Sequence, residues 1–163
     1  MNKTVFTKDL TNKKILVERS FDAPVALVWK TWTDATLLDQ WWAPSPWKAK
    51  TKSMNFKEGG YWHYCMVGPE GEVAWARLDY EKIKIHISYS AKDAFCDEAG
   101  KINKDFPGAY WQVSFSSSST GTKVNVVTSY NSVEELEAMV NMGFQEGFAM
   151  AHDNLDELIK TLV

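Results

Sequence analysis

Phe21-Asp22-Ala23-Pro24-Val25-Ala26-Leu27-Val28-Trp29, followed by Trp32, Asp34 and Asp39-Gln40-Trp41-Trp42-Ala43-Pro44, is the stretch from which the architecture of this 163-residue chain is read. Pro24 suits a first helical turn, where its missing N–H costs nothing, so a helix is predicted to start at Asp22 or Ala23. Val25, Val28, Trp29 and Trp32 then recur at i, i+3, i+4 and i+7, one face of a short helix. Asp34 is an N-cap for a second short helix through Leu37, Leu38 and Trp41, and Pro44 and Pro46 end helical structure. Upstream, Ile15–Phe21 reads as a first strand, and residues 1–14 as a partly ordered lead-in to a single domain spanning 15–163.

Downstream the period changes to two. Strands are predicted at Trp47–Asn55, Gly60–Met66, Ala74–Ile83, Ile87–Asp93, Tyr110–Phe115 and Lys123–Tyr130. The breaks carry turn residues: Gly59-Gly60, Pro69-Glu70-Gly71, Asp97-Glu98-Ala99-Gly100, Pro107-Gly108 and Thr120-Gly121. Short connections imply antiparallel pairing, because a parallel pair needs a crossover of about a dozen residues or more. From Ser132 to Leu162 one long amphipathic helix is predicted. Ser132 and Glu135 form a capping box, and Leu136, Val140, Gly143, Gly147, Ala151, Leu155, Leu158 and Leu162 make its apolar stripe. The fold class is therefore α+β, with a curved antiparallel sheet of six to seven strands around a long C-terminal helix.

Composition narrows the function. A net charge of −3 and only two arginines, Arg19 and Arg77, do not make a phosphate-reading face, so no nucleic-acid partner is expected. No apolar run is long enough to span a bilayer, and residues 1–14 lack the apolar centre of a secretory signal. Cys65 and Cys96 have no metal-type spacing and read as incidental thiols of a reducing cytoplasm. Eight Trp, six Tyr and eight Phe are the compositional signal. Each ring fills core, yet rings sharing a strand face also make the walls of a ligand cavity.

Strand alternation places Trp62, Tyr64 and Met66 on one face, Leu78 and Tyr80 on one face, and Trp111, Val113 and Phe115 on one face. Turned toward the long helix, these residues wall a cavity roofed by Met139, Gly143 and Gly147. Gly143 and Gly147 are small where a stripe should be large, and a mid-helix glycine costs about 1 kcal/mol against alanine. Either another backbone approaches there, or space is left open over the sheet. His63 is expected on the solvent side of its strand and His152 on the helix surface. Asp34 and Asp39 serve as caps, and Arg77 is a surface ion-pair member. No nucleophile elbow, phosphate loop, dinucleotide fingerprint or metal spacing is present, so no catalytic residue, metal or cofactor is assigned.

Arg19-Ser20-Phe21-Asp22-Ala23-Pro24 with Val28-Trp29, then Trp41-Trp42-Ala43-Pro44, resembles the opening of proteins related to the activator of heat-shock-protein-90 ATPase. Gly59-Gly60-Tyr61-Trp62, Met66, Pro69-Glu70-Gly71, Phe95-Cys96-Asp97-Glu98-Ala99-Gly100 and the closing Met142-Gly143-Phe144, Gly147-Phe148 and Asn154-Leu155 follow in the family's order. The resemblance implies the helix-grip fold of the START-like (SRPBCC, polyketide cyclase/dehydratase-like) superfamily, whose members bind lipids, sterols or polyketides. It carries over no catalytic set. The chain departs from its relatives at Ile83-Lys84-Ile85-His86-Ile87, which lacks their prolines, so a more continuous hairpin is expected there.

The reading is a cytoplasmic monomer or homodimer that binds a small hydrophobic, lipid- or polyketide-like molecule. Apolar burial of roughly 25 cal/mol per Å² would drive binding, with Tyr64 or Tyr80 orienting a polar group. Two alternatives come from other classes. A chaperone co-factor acting on a heat-shock-protein-90-type ATPase would use the outer surface. A cyclase- or dehydratase-type enzyme would need a buried acid or base inside the pocket, and the inward-facing residues named above include none.

Overall fold

The computed structural model describes residues 2–106 and 108–163. Eight strands form one antiparallel sheet: β1 (Val5–Asp9), β2 (Lys14–Phe21), β3 (Lys48–Met54), β4 (Tyr61–Val67), β5 (Val73–Lys84), β6 (Ser88–Phe95), β7 (Tyr110–Ser117) and β8 (Thr122–Ser129). Their spatial order is β1-β2-β8-β7-β6-β5-β4-β3. Every neighbour except β2–β8 is also consecutive in the chain, as short turns require. The helices α1 (Val25–Thr33) and α2 (Ala35–Leu38) fill the connection from β2 to β3.

Period-two patterning produces the sheet's buried face. β2 buries Ile15, Val17, Arg19 and Phe21, β8 buries Thr122, Val124, Val126 and Thr128, and β7 buries Trp111, Val113 and Phe115. The pairing register brings Val17 opposite Val126 and Val113 opposite Val126, so one apolar layer runs across three strands. Irregular register at Thr51/Ser53 and at Tyr80/Lys82 marks two β-bulges, which bend the sheet locally. Pro24 caps α1, which buries Val28, Trp29 and Trp32 against this layer. Asp34 accepts the Leu37 amide and starts α2, as its position predicts.

Two sequence expectations change. The lead-in contains a strand, because β1 pairs with β2 from Val5↔Glu18 to Asp9↔Lys14. The C-terminal helix is two helices, α3 (Val133–Asn141) and α4 (Phe144–Leu162). Gly143 has φ +90°, a left-handed conformation that only glycine adopts at little cost, and it stops α3 and caps α4. Gly143 is thus a break in the helix and not a position on a continuous stripe. Finally, the β5–β6 connection is the continuous hairpin expected, and His86 takes φ +64° to close it. Of the predicted turn Pro107-Gly108, Pro107 lies outside the described residues. Ser132 accepts the Glu135 amide at 3.1 Å, while Glu135 reaches back to the Asn131 amide. Among the described residues no helix is long and apolar enough to cross a membrane.

Candidate functional site

The bent sheet does not close completely on α3 and α4. A cavity of about 290 Å³ remains between them, lined from the sheet by Tyr64, Met66, Ala76, Asp93, Ala94, Phe95 and Trp111. The helical side supplies Met139, Met142, Gly143, Phe144, Gly147 and Phe148, and Trp42, Pro44, Gly108 and Tyr130 complete the rim. Met142 is 60% exposed, so the cavity reaches solvent at the α3–α4 break.

Six of the eleven residues expected around a ligand line this space: Tyr64, Met66, Trp111, Met139, Gly143 and Gly147. The other five do not. Trp62, Leu78, Tyr80, Val113 and Phe115 face the same way but pack into the solid core. Trp62 stacks on Tyr64 at 4.0 Å and donates its Nε1–H to Thr51 Oγ1, while Tyr80 packs edge-on against Phe56 at 4.7 Å. Helices α1 and α2 cover that end of the sheet face, since Trp29 and Trp32 both lie against Phe115. Sharing a face is therefore necessary for lining the cavity but not sufficient.

The helical break also explains the small residues of α4. A Cβ placed on Gly147 would meet only Pro44, at an ordinary 3.6 Å, so no backbone presses against this glycine. Gly147 faces the cavity beside the Pro44 side chain and is not pressed by another backbone. Around it the rings of Trp42, Trp111, Phe144 and Phe148 pack mostly edge to face, with centroids between 5.3 and 6.2 Å.

Two polar groups enter this aromatic space. Tyr64 Oη accepts the Trp42 indole N–H at 3.0 Å, which leaves the phenol's own proton free to donate. Burial raises its pKa well above the usual phenol value, so it stays protonated. Asp93 is the second group, and sequence reading missed it. Its Oδ1 accepts the Ala109 amide at 2.6 Å and its Oδ2 accepts the Trp111 indole N–H at 2.7 Å. Desolvation pushes its pKa up, and the two N–H donors pull against that shift. Gly108 permits the arrangement, because a side chain there would collide with the Asp93 backbone and carboxylate. Strand parity was the available signal, since Tyr89, Ala91 and Asp93 alternate on β6 and the first two are buried inward.

The histidines lie elsewhere than expected. His63 is on the outer face of β4, yet it is buried there beneath the Asp97–Gly100 turn and hydrogen-bonded to the Asp97 carbonyl at 3.1 Å. Trp75 covers its ring at 5.1 Å. His152 is only 1% exposed and sits among Phe21, Trp32, Trp41 and Phe148. Neither histidine lines the cavity. Arg77 is the ion-pair member predicted, bonded to Asp79 and to the Gly100 carbonyl and stacked 4.0 Å from Tyr61. Asp39 is the C-cap of α2, its backbone N–H donating to the Ala35 carbonyl, and its carboxylate also accepts the Thr51 amide and hydroxyl, which ties α2 to β3.

Comparison with known proteins agrees with this geometry. The family described as "Activator of Hsp90 ATPase homolog 1-like protein" matches residues 22–160. Protein Ms6760 from Mycobacterium smegmatis is 29% identical and superposes with a TM-score of 0.88 over 96% of both chains. A protein from Arthrobacter aurescens is 27% identical, with a TM-score of 0.90 over 96% of this chain and 91% of that one. Protein NE0264 from Nitrosomonas europaea, at 23% identity and a TM-score of 0.81 over 92% and 96% of the two chains, shares the fold. No curated protein matches the chain.

Proposed function

The chain belongs to the activator of Hsp90 ATPase homolog 1-like family, and from that premise we propose that it binds a small hydrophobic molecule in the cavity between the sheet and helices α3 and α4. One observation carries the reading: an apolar, ring-lined space of about 290 Å³ that opens at the Met142–Gly143 break and contains only a few polar groups. Pockets for small molecules have this composition, near the lower end of their usual size. Burying the ligand's apolar surface would supply most of the affinity, at roughly 25 cal/mol per Å². Tyr64, with a proton to donate, would orient a polar atom of the ligand.

The test is a titration with an environment-sensitive apolar fluorophore of one or two rings, such as a naphthylamine. Saturable one-to-one binding is expected for the native chain. Met139→Trp, which fills the space from α3, should weaken binding by about tenfold or more while the protein stays folded by circular dichroism. Equal binding by both proteins would remove the cavity as the site. The chaperone co-factor reading rests on the family's name, and a failure of every apolar probe to bind would leave it as the better account.

A further inference from the structure

Asp93 is the only charged side chain among the described residues lining the cavity, and no lysine, arginine or histidine faces it there. Other acids close to the sheet have cationic or solvent partners: Asp79 pairs with Arg77, and Asp153 and Asp156 pair with Arg19. Asp93 has none. Its two hydrogen bonds come from neutral N–H groups, Ala109 and Trp111, which hold the carboxylate in place without neutralising it. A carboxylate accepts about four hydrogen bonds in all, so acceptor positions remain on both oxygens. The surrounding walls are aromatic, and a ring's negative face attracts cations where water is excluded.

We infer that the cavity selects a hydrophobic cation, an aryl or alkyl ammonium whose charged nitrogen sits beside Asp93 and whose apolar part lies among Trp42, Trp111, Phe144 and Phe148. The inference rests on the cavity being a binding site. It adds the ligand's chemical class. An anionic ligand such as a fatty acid would place like charge against an uncompensated carboxylate. A neutral ligand would displace water from that carboxylate without supplying a counter-charge, which costs free energy. A cation relieves both problems, and the fixed N–H donors keep the carboxylate oriented for it.

Three probes of matched shape separate the possibilities: phenethyltrimethylammonium, its neutral carbon isostere 3,3-dimethylbutylbenzene, and 3-phenylpropionate. Binding is followed by intrinsic tryptophan fluorescence and by calorimetry. The ammonium is expected to bind about tenfold tighter than the neutral isostere, with the carboxylate weakest. In Asp93→Asn the ratio of ammonium to neutral affinity should fall to about one, and if that variant does not fold the native chain's three-probe order decides alone. Equal affinities for ammonium and isostere, or a preference that survives Asp93→Asn, overturn the inference while leaving hydrophobic binding intact. No binding of any of the three overturns the inference and the binding function together.

Discussion

His152 is a buried titratable side chain whose protonation bears directly on stability. Thr4 Oγ1 accepts a hydrogen bond from Arg19 Nη1 at 3.0 Å and lies 3.0 Å from His152 Nδ1, so the hydroxyl proton points at the imidazole and Nδ1 accepts it. Nε2 then carries the ring's only proton and has no hydrogen-bond partner among the described residues. Arg19, buried beside it, is held by Asp153 at 2.8 Å and by Asp156. Burial first, and the Arg19 charge second, hold the His152 pKa down at about 3, against an ordinary value of 6.5. The unfolded chain therefore takes up a proton in mild acid that the native chain refuses. The stability linked to neutral His152 is complete above about pH 6.5 and is lost as pH falls toward 3, by about 1.4 kcal/mol per pH unit at its steepest. Asp156, whose pKa burial raises, acts with the opposite sign at lower pH, so a comparison of chains differing only at position 152 isolates the histidine. Urea unfolding between about pH 7 and pH 4 should show the steep dependence in the native chain and a flatter one in His152→Leu. Equal slopes would mean that the imidazole is not buried as described. Arg19 was legible in principle, since it alternates with Ile15, Val17 and Phe21 on the buried face of β2. The two aspartates one helical turn apart on α4 make an inward arginine tolerable.

At the scale of elements, the α3–α4 break has a cost that can be measured. Gly143 is left-handed, whereas Gly147 is helical and a Cβ there would make only ordinary contact with Pro44, so the same substitution should act with opposite sign at the two positions. Gly143→Ala should lose about 1 kcal/mol, and Gly147→Ala should gain up to about 1 kcal/mol. Chemical denaturation of both variants checks this, and a stabilised Gly143→Ala would indicate one continuous helix. Most elements were readable from the chain because their signals are local. Pro24 and Asp34 set the starts of α1 and α2, and alternation with turn residues located β3 to β8 to within a few residues. The misses have physical causes. β1 is an edge strand with alternating exposure and no buried run, so its pattern resembles that of a polar tail. The α3–α4 break leaves the apolar spacing unchanged from Leu136 to Leu155, because one left-handed residue turns the chain without altering the period.

For the whole molecule, the division between core and cavity decides function, and this was the least legible property. The sheet presents one continuous aromatic face, yet α1, α2 and Trp41 cover one end while the α3–α4 break leaves the other end open. Where that boundary falls depends on how far helices stand from strands, which no residue pattern encodes. Hence Tyr64 and Trp111 line the space while Tyr80 and Phe115, on the same face, fill the core. Asp93 escaped notice for a related reason: it becomes informative only once the space beside it is known to hold no cation. Whether this space holds a ligand can be read by native mass spectrometry of the freshly purified protein, followed by denaturation and analysis of what is released. A one-to-one adduct of a few hundred daltons is expected, either carried through purification or formed with an added aryl ammonium, and it should be lost in Met139→Trp. A bare protein mass under both conditions, or an adduct that persists undiminished in Met139→Trp, would contradict binding in this space.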